Sequence, residues 1–172
     1  MSNQVALITG AASGIGKAAA LKLAARGTTV VISGRRQDLG HDAVAEISAV
    51  ATSGAQVRFI RNDVTDEHAV KSMIDSIVAE FGRLDMAVNN AGISNETATL
   101  VQSSSEKYRA MLDTNVLGLY FCMKYEIAQM LTQGRGLDCQ FGVDCRIERY
   151  SVDRTVCVDE ACGHGADQVF RP

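Results

Sequence analysis

Proline is almost missing from this 172-residue chain: the single one is Pro172. No Pro/Ser-rich stretch reads as an interdomain linker. No uninterrupted apolar segment approaches the ~20 residues that cross a bilayer, and Met1-Ser2-Asn3-Gln4 lacks the basic-then-apolar character of an export signal. A cytoplasmic setting without membrane contact is therefore expected. Charge of one sign is not in excess either: 17 Lys+Arg stand against 20 Asp+Glu, interspersed, for a formal net charge of -3. That balance excludes a nucleic-acid groove, which needs a basic face. Two narrower absences bear on chemistry. No serine occurs between Ser105 and Ser151, and no lysine after Gly136.

What is present is a composition for one globular domain with an ample core, 47% of residues being hydrophobic. Apolar strand-like runs at Val5 to Ile8, Val30 to Ile32, Val57 to Ile60 and Leu84 to Val88 alternate with helical patterns at Ile15 to Ala25, Ala43 to Val50, Val70 to Phe81 and about Lys107 to Leu131. Strands separated by helices require right-handed crossovers, which predicts an α/β fold: a doubly wound, Rossmann-like parallel sheet covered on both faces. Ser103-Ser104-Ser105-Glu106 has capping-box spacing at the start of the last helix.

The first strand feeds directly into Thr9-Gly10-Ala11-Ala12-Ser13-Gly14-Ile15-Gly16. Glycines at 10, 14 and 16 permit a tight turn, let backbone approach a pyrophosphate without a Cβ in the way, and allow close helix–strand packing. The N-terminal N–H groups of the following helix then face an anion. Ile15, Ala18, Ala19, Leu21, Leu23 and Ala24 supply an apolar stripe for that helix, which Gly27 ends.

Three further loops follow in register. Asp63-Val64 succeeds the third strand, Asn89-Asn90-Ala91-Gly92 succeeds the fourth, and Asn115 sits in the long helix. With the Thr9 to Gly16 turn, these motifs resemble the short-chain dehydrogenase/reductase family over about residues 4 to 134. The resemblance implies an NAD(P)-dependent oxidoreductase moving hydride between nicotinamide and an alcohol or carbonyl. It places Gly10, Ser13 and Ile15, with Gly14 and Gly16, along the pyrophosphate. Asp63 and Val64 fall to the adenine, and Asn90, Ala91 and Gly92 to the ribose side of the cleft. It also implies a small-molecule substrate and, as is usual in the family, self-association.

The second strand ends in Ser33-Gly34-Arg35-Arg36. A carboxylate there would hold the ribose hydroxyls of NAD, whereas a guanidinium grips a 2′-phosphate with charged hydrogen bonds, so Arg35 and Arg36 favour NADP. Asp38 keeps NAD open.

Of the family's Asn, Ser, Tyr and Lys set, Asn115 alone is matched as a catalytic residue. Tyr120 and Lys124 fit Tyr-x-x-x-Lys literally but share a helix with Asn115, and five residues on a helix turn by about 140°; a packed Tyr120 and an exposed Lys124 are expected. Tyr150 and Arg154 have the spacing with the wrong cation, among Val152, Thr155, Val156 and Val158, which favour strand. His41 and His68 stand alone on helices and read as surface residues.

From about residue 135 the character changes. Residues 1–134 read as the dinucleotide-binding domain and 135–172 as an atypical Cys/Arg/Asp-rich tail. Leu137, Cys139, Phe141, Val143, Cys145 and Ile147 alternate with polar or small residues, which predicts a half-exposed strand outside the parallel sheet. Cys139, Cys145, Cys157 and Cys162, with His164, are free thiols, a metal site or foreign sequence; no Cys-x-x-Cys pair supports zinc, so no metal is expected. Besides an oxidoreductase, a catalytically inactive dinucleotide-binding fragment and a metal-stapled interaction tail fit the sequence.

A frameshifted or truncated end accounts together for the composition change, the absent serine and the absent Tyr/Lys pair. Translating the coding DNA past codon 134 in the other two frames is expected to yield a strand followed by Ser and Tyr-x-x-x-Lys. Neither frame doing so overturns the idea.

Overall fold

The structure is a computed structural model that describes residues 4–52, 54–94, 99–141 and 147–151. The alternation predicted from sequence is realised as β1 Val5–Thr9, α1 Gly14–Ala24, β2 Thr29–Gly34, α2 Gln37–Val50, β3 Val57–Arg61, α3 Glu67–Phe81 and β4 Met86–Asn89. Then come α4 Ser105–Leu112, a wide π-type segment Asp113–Gly118, α5 Leu119–Gln133, β5 Leu137–Phe141 and β6 Ile147–Ser151. The strands form one sheet in the order β3-β2-β1-β4-β5-β6. The first five run parallel, and β6 returns antiparallel to β5. The order reverses between β1 and β4, which puts a crevice at their carboxyl ends.

Residues alternate across the sheet, so each strand serves two cores. Val5 and Leu7 of β1 and Val31 of β2 join Met73, Ile74 and Ile77 of α3 and Met130 of α5 on one face. Ile8, Val30 and Ile32 meet Ala20 and Ala24 of α1 and Ala43 and Ile47 of α2 on the other. Leu7, Ile8, Ile32, Ile47 and Ile77 are all fully buried, and each contributes about 1.5–3 kcal/mol by leaving water. Both faces being covered is what allows strands as uniformly apolar as β1 and β2.

Four local expectations are corrected. The fully buried residues of α1 are Gly16, Ala20 and Ala24, with Leu21 and Leu23 partly buried against the same core, while Ile15 is 58% exposed; the expected stripe is right for Leu21, Leu23 and Ala24 and wrong at its first residue. The long last helix is divided by its π-type segment, and its cap is Ser104, one residue later than the box spacing suggested, whose hydroxyl accepts from the Lys107 N–H at 3.4 Å. Residues 137–141 are a strand, as alternation predicts, but one that pairs with β4 in the same sheet. A strand next to the edge need not be apolar on both faces, which is why its pattern misleads. It also means that β4 is not an edge.

At the sheet's amino end, Asp85 ties three strands. Its carboxylate accepts from the Val5 N–H at 2.9 Å and from Arg83, Arg135 stands 3.8 Å away, and its carbonyl accepts from the Leu137 N–H. Gln133, the last residue of α5, closes both backbone groups of Leu84, accepting from its N–H and donating to its carbonyl at 2.8 Å each.

On the outer side, Glu67 of α3 accepts from Lys124 Nζ at 2.7 Å and from the Tyr125 hydroxyl at 2.9 Å. The Lys124 and Tyr125 hydrogen bonds hold the Glu67 carboxyl below its ordinary range. The unfolded chain thus binds this proton more tightly than the folded one. The contribution is present above the ordinary glutamate value of about 4.3 and is lost as pH falls through the lowered folded value. Because the group is exposed the effect is small. Urea melts from pH 7 to pH 3 are expected to show Glu67→Gln flattening the fall in stability on the acid side.

Candidate functional site

The site begins where β1 runs out. Gly10 and Gly14 take the left-handed conformation, at φ 66° and 61°. A Cβ on Gly10 would lie 2.8 Å from Ala91 Cα, and one on Gly16 would lie 2.5 Å from Asn90 Nδ2. A Cβ on Gly14 would meet nothing within 4 Å. Two glycines therefore let one loop press on another, and the third leaves an open approach. Ser13 caps α1 in an extended conformation, and its hydroxyl makes no capping hydrogen bond. No acidic residue occupies the first turn of α1, so the positive end of the helix is not neutralised locally.

The loop after β4 is locked to this turn. The buried Thr9 hydroxyl accepts from the N–H groups of Asn90 at 3.1 Å and Ala91 at 3.0 Å. The Asn90 side-chain amide donates back to the carbonyls of Thr9 and Gly10, at 3.1 and 3.2 Å. The two loops are thus in direct contact, with Thr9 as an organiser the motif reading passed over.

Asn115 lies within the π-type segment, and both ends of its amide are committed to Ile93. Oδ1 accepts from the Ile93 N–H and Nδ2 donates to the Ile93 carbonyl, each at 2.8 Å. A Cβ on Gly92 would come within 3.3 Å of that Oδ1. The geometry makes Asn115 a holder of the Gly92–Ile93 turn.

On the β2 side, Arg35 and Arg36 are exposed, Arg36 at the start of α2, with Asp38 in that helix's first turn. Arg35 Nη1 stands 3.9 Å from Asp63 Oδ2. Asp63 Oδ1 accepts from the N–H and hydroxyl of Thr65, at 3.1 and 2.9 Å. Val64 is nearly buried, and Gly118 packs on it so closely that a Cβ there would lie 2.7 Å from its Cγ2. Thr9, Val64, Asn89, Ala91, Gly118, Leu119 and Cys122 line a cavity of about 10 Å³, the scale of one water and not of a substrate.

Tyr120 is 56% exposed on α5, not packed in the core as expected. Lys124 is held by Glu67. Tyr150 falls in β6, while Arg154, Cys145, Cys157, Cys162 and His164 lie outside the described residues. One buried pair went unread in the sequence: Glu126 Oε2 accepts from Asn89 Nδ2 at 2.7 Å. Its signal was a carboxylate at i+4 from Cys122 and i−4 from Met130, on the helix face that is buried.

A family model described as short chain dehydrogenase matches residues 4–137. A short chain dehydrogenase/reductase of Aspergillus oryzae is 35% identical over 136 residues, covering 79% of this chain and 51% of that protein. Among solved structures, NAD+-bound xylitol dehydrogenase superposes with a TM-score of 0.74 at 34% identity, over 78% of this chain and 51% of that one. An actinorhodin polyketide ketoreductase variant with NADPH does so at 0.72 and 28%, over 78% and 51%. The chain spans about half the length of the curated relatives it matches. A dinucleotide fits the residues present, since the Gly14 side is open, the start of α1 carries no acid, and Ile15 is exposed beside it.

Gly10→Ala is expected to cost more than Gly14→Ala. The first adds a backbone clash to a left-handed φ, about 2–4 kcal/mol; the second carries only the conformational term, about 1 kcal/mol. Urea unfolding of the two variants checks the order, and equal losses contradict the loop-packing role.

Proposed function

The chain belongs to the short chain dehydrogenase family, and from that premise we propose that it is the coenzyme-binding half of an NAD(P)-dependent oxidoreductase acting on a small alcohol or carbonyl. The observation that carries this reading is the paired loop structure at the β1/β4 reversal, where a pyrophosphate can approach the open side of Gly14. Gly10, Ser13, Gly14, Ile15 and Gly16 line the pyrophosphate. Their N–H groups and the helix dipole offset its charge without a side-chain cation. Asp63 and Val64 bound the adenine, and Asn90, Ala91 and Gly92 the ribose side. Bound coenzyme supplies the hydride acceptor or donor. Asn115, its amide spent on Ile93, positions the turn that carries Gly92.

Arg35 and Arg36 support NADP over NAD. Arg35 lies within reach of Asp63 but is not closely bonded to it, so a 2′-phosphate with its greater charge can draw it across. A cytoplasmic setting, a small-molecule substrate and no nucleic-acid or membrane partner complete the reading. No helix among the described residues is long and apolar enough to cross a membrane.

The proton that must move with the hydride needs an acid/base near the reacting carbon. Tyr120 and Lys124 of α5 do not supply it: Tyr120 is exposed, and Lys124 is paired with Glu67 of α3. In fluorescence titrations NADPH is expected to bind more tightly than NADH. Arg35→Ala should weaken NADPH about tenfold and leave NADH unchanged. Absorbance at the nicotinamide band with a panel of alcohols and ketones should show no turnover by the chain as it stands. Binding of neither coenzyme to folded protein sinks the assignment, and clear turnover sinks the account of the missing acid/base.

A further inference from the structure

Helix α5 buries Cys122, Glu126 and Met130 in one row, at i, i+4 and i+8. The middle residue has no exposed surface at all. A leucine would fill such a place without giving up hydration, so a carboxylate there is unfavourable unless it makes a bond that an apolar side chain cannot. Glu126 makes one: its Oε2 accepts from Asn89 Nδ2 at 2.7 Å, and Asn89 is itself 4% exposed at the end of β4. The next two residues, Asn90 and Ala91, are those that bond the Thr9 hydroxyl and the Thr9 and Gly10 carbonyls. A continuous path of hydrogen bonds and one peptide link therefore runs from the core face of α5 to the glycine turn.

We propose that Glu126 is a positioning residue for the coenzyme loops: by fixing the Asn89 side chain it sets the angle at which Asn90 and Ala91 leave β4 and meet Thr9 and Gly10. It does not touch the coenzyme. The inference rests on the coenzyme-binding reading above, and its test has a readout independent of that reading.

The full chain is compared as wild type, Glu126→Gln, Glu126→Leu, Asn89→Asp and the Asn89→Asp/Glu126→Gln pair. Coenzyme affinity is read by NADPH and NADH titration. Hydrogen exchange at the Asn90 and Ala91 amides is read without coenzyme, against Leu7 and Val31 in the sheet centre. Glutamine keeps an acceptor for Asn89, so Glu126→Gln should bind within about twofold of wild type, whereas Glu126→Leu should bind about tenfold more weakly. In Glu126→Leu, exchange at Asn90 and Ala91 should quicken about tenfold more than at Leu7 and Val31. Asn89→Asp sets two carboxyls against each other and should lose protection at the loop. Adding Glu126→Gln reverses donor and acceptor and should restore it, which decides the matter even where Glu126→Leu does not fold.

The proposal is overturned if Glu126→Gln is as poor as Glu126→Leu, if exchange quickens evenly across the sheet, or if the double variant restores nothing. Should the wild type bind neither coenzyme, the functional reading fails while the exchange data still judge this one.

Discussion

The hydroxyl of Thr9 accepts two consecutive backbone N–H groups from the far loop, and the Asn90 amide answers with two bonds to the near one. Pulling the ends of β1 and β4 apart would strand several part-buried or buried polar groups together, at about 1–3 kcal/mol each. An exposed pair such as Lys71–Asp75 is worth at most about 1 kcal/mol. The loop pairing therefore outweighs the surface charge network in fixing this region. It also explains the glycines: Gly10 and Gly16 are small because Asn90 and Ala91 occupy the volume a side chain would need.

Strand β4 owes its position to α5 and the π-type segment before it as much as to its neighbours in the sheet. The preceding Leu84 is closed by Gln133, its last residue Asn89 by Glu126, and the following Ile93 by Asn115. All three partners are amide or carboxylate side chains satisfying groups that apolar packing would leave unpaired. A strand of four residues is short for a central position, and these ties compensate for its length. Asp85 adds a fourth fixed point, through Val5, Arg83 and Leu137.

Much of this was legible in the chain before any coordinates. Strands β1, β2 and β4 announced themselves because central parallel strands are apolar on both faces, the edge strand β3 through its Val57, Phe59 and Ile60, and the glycine turn because its conformation admits few other residues. The loops carrying Asp63-Val64 and Asn90 to Gly92 were found through motif order, not through local physics. Long-range side-chain partnerships were not legible: nothing near Glu126 in sequence says that Asn89, 37 positions away, will face it. On α1 the expected stripe was misplaced at its first residue: Ile15 is exposed, whereas Leu21, Leu23 and Ala24 pack on the core together with the small residues Gly16 and Ala20. The place of β5 was misread because alternation reports how a strand is covered and not what it pairs with.

The wide turn Asp113–Gly118 has a bearing on how this helix can change over evolution. It sits between Asn115, which must look toward Ile93, and the row Cys122, Glu126, Met130, which must look toward the sheet. Each residue of an ordinary helix advances the direction of view by about 100°. Deleting one residue between these two groups would swing the second through that angle, bringing solvent-facing positions against the sheet. Insertions and deletions should accordingly be far less tolerated between 113 and 122 than in the connection before α4, where a length change alters no helical phase.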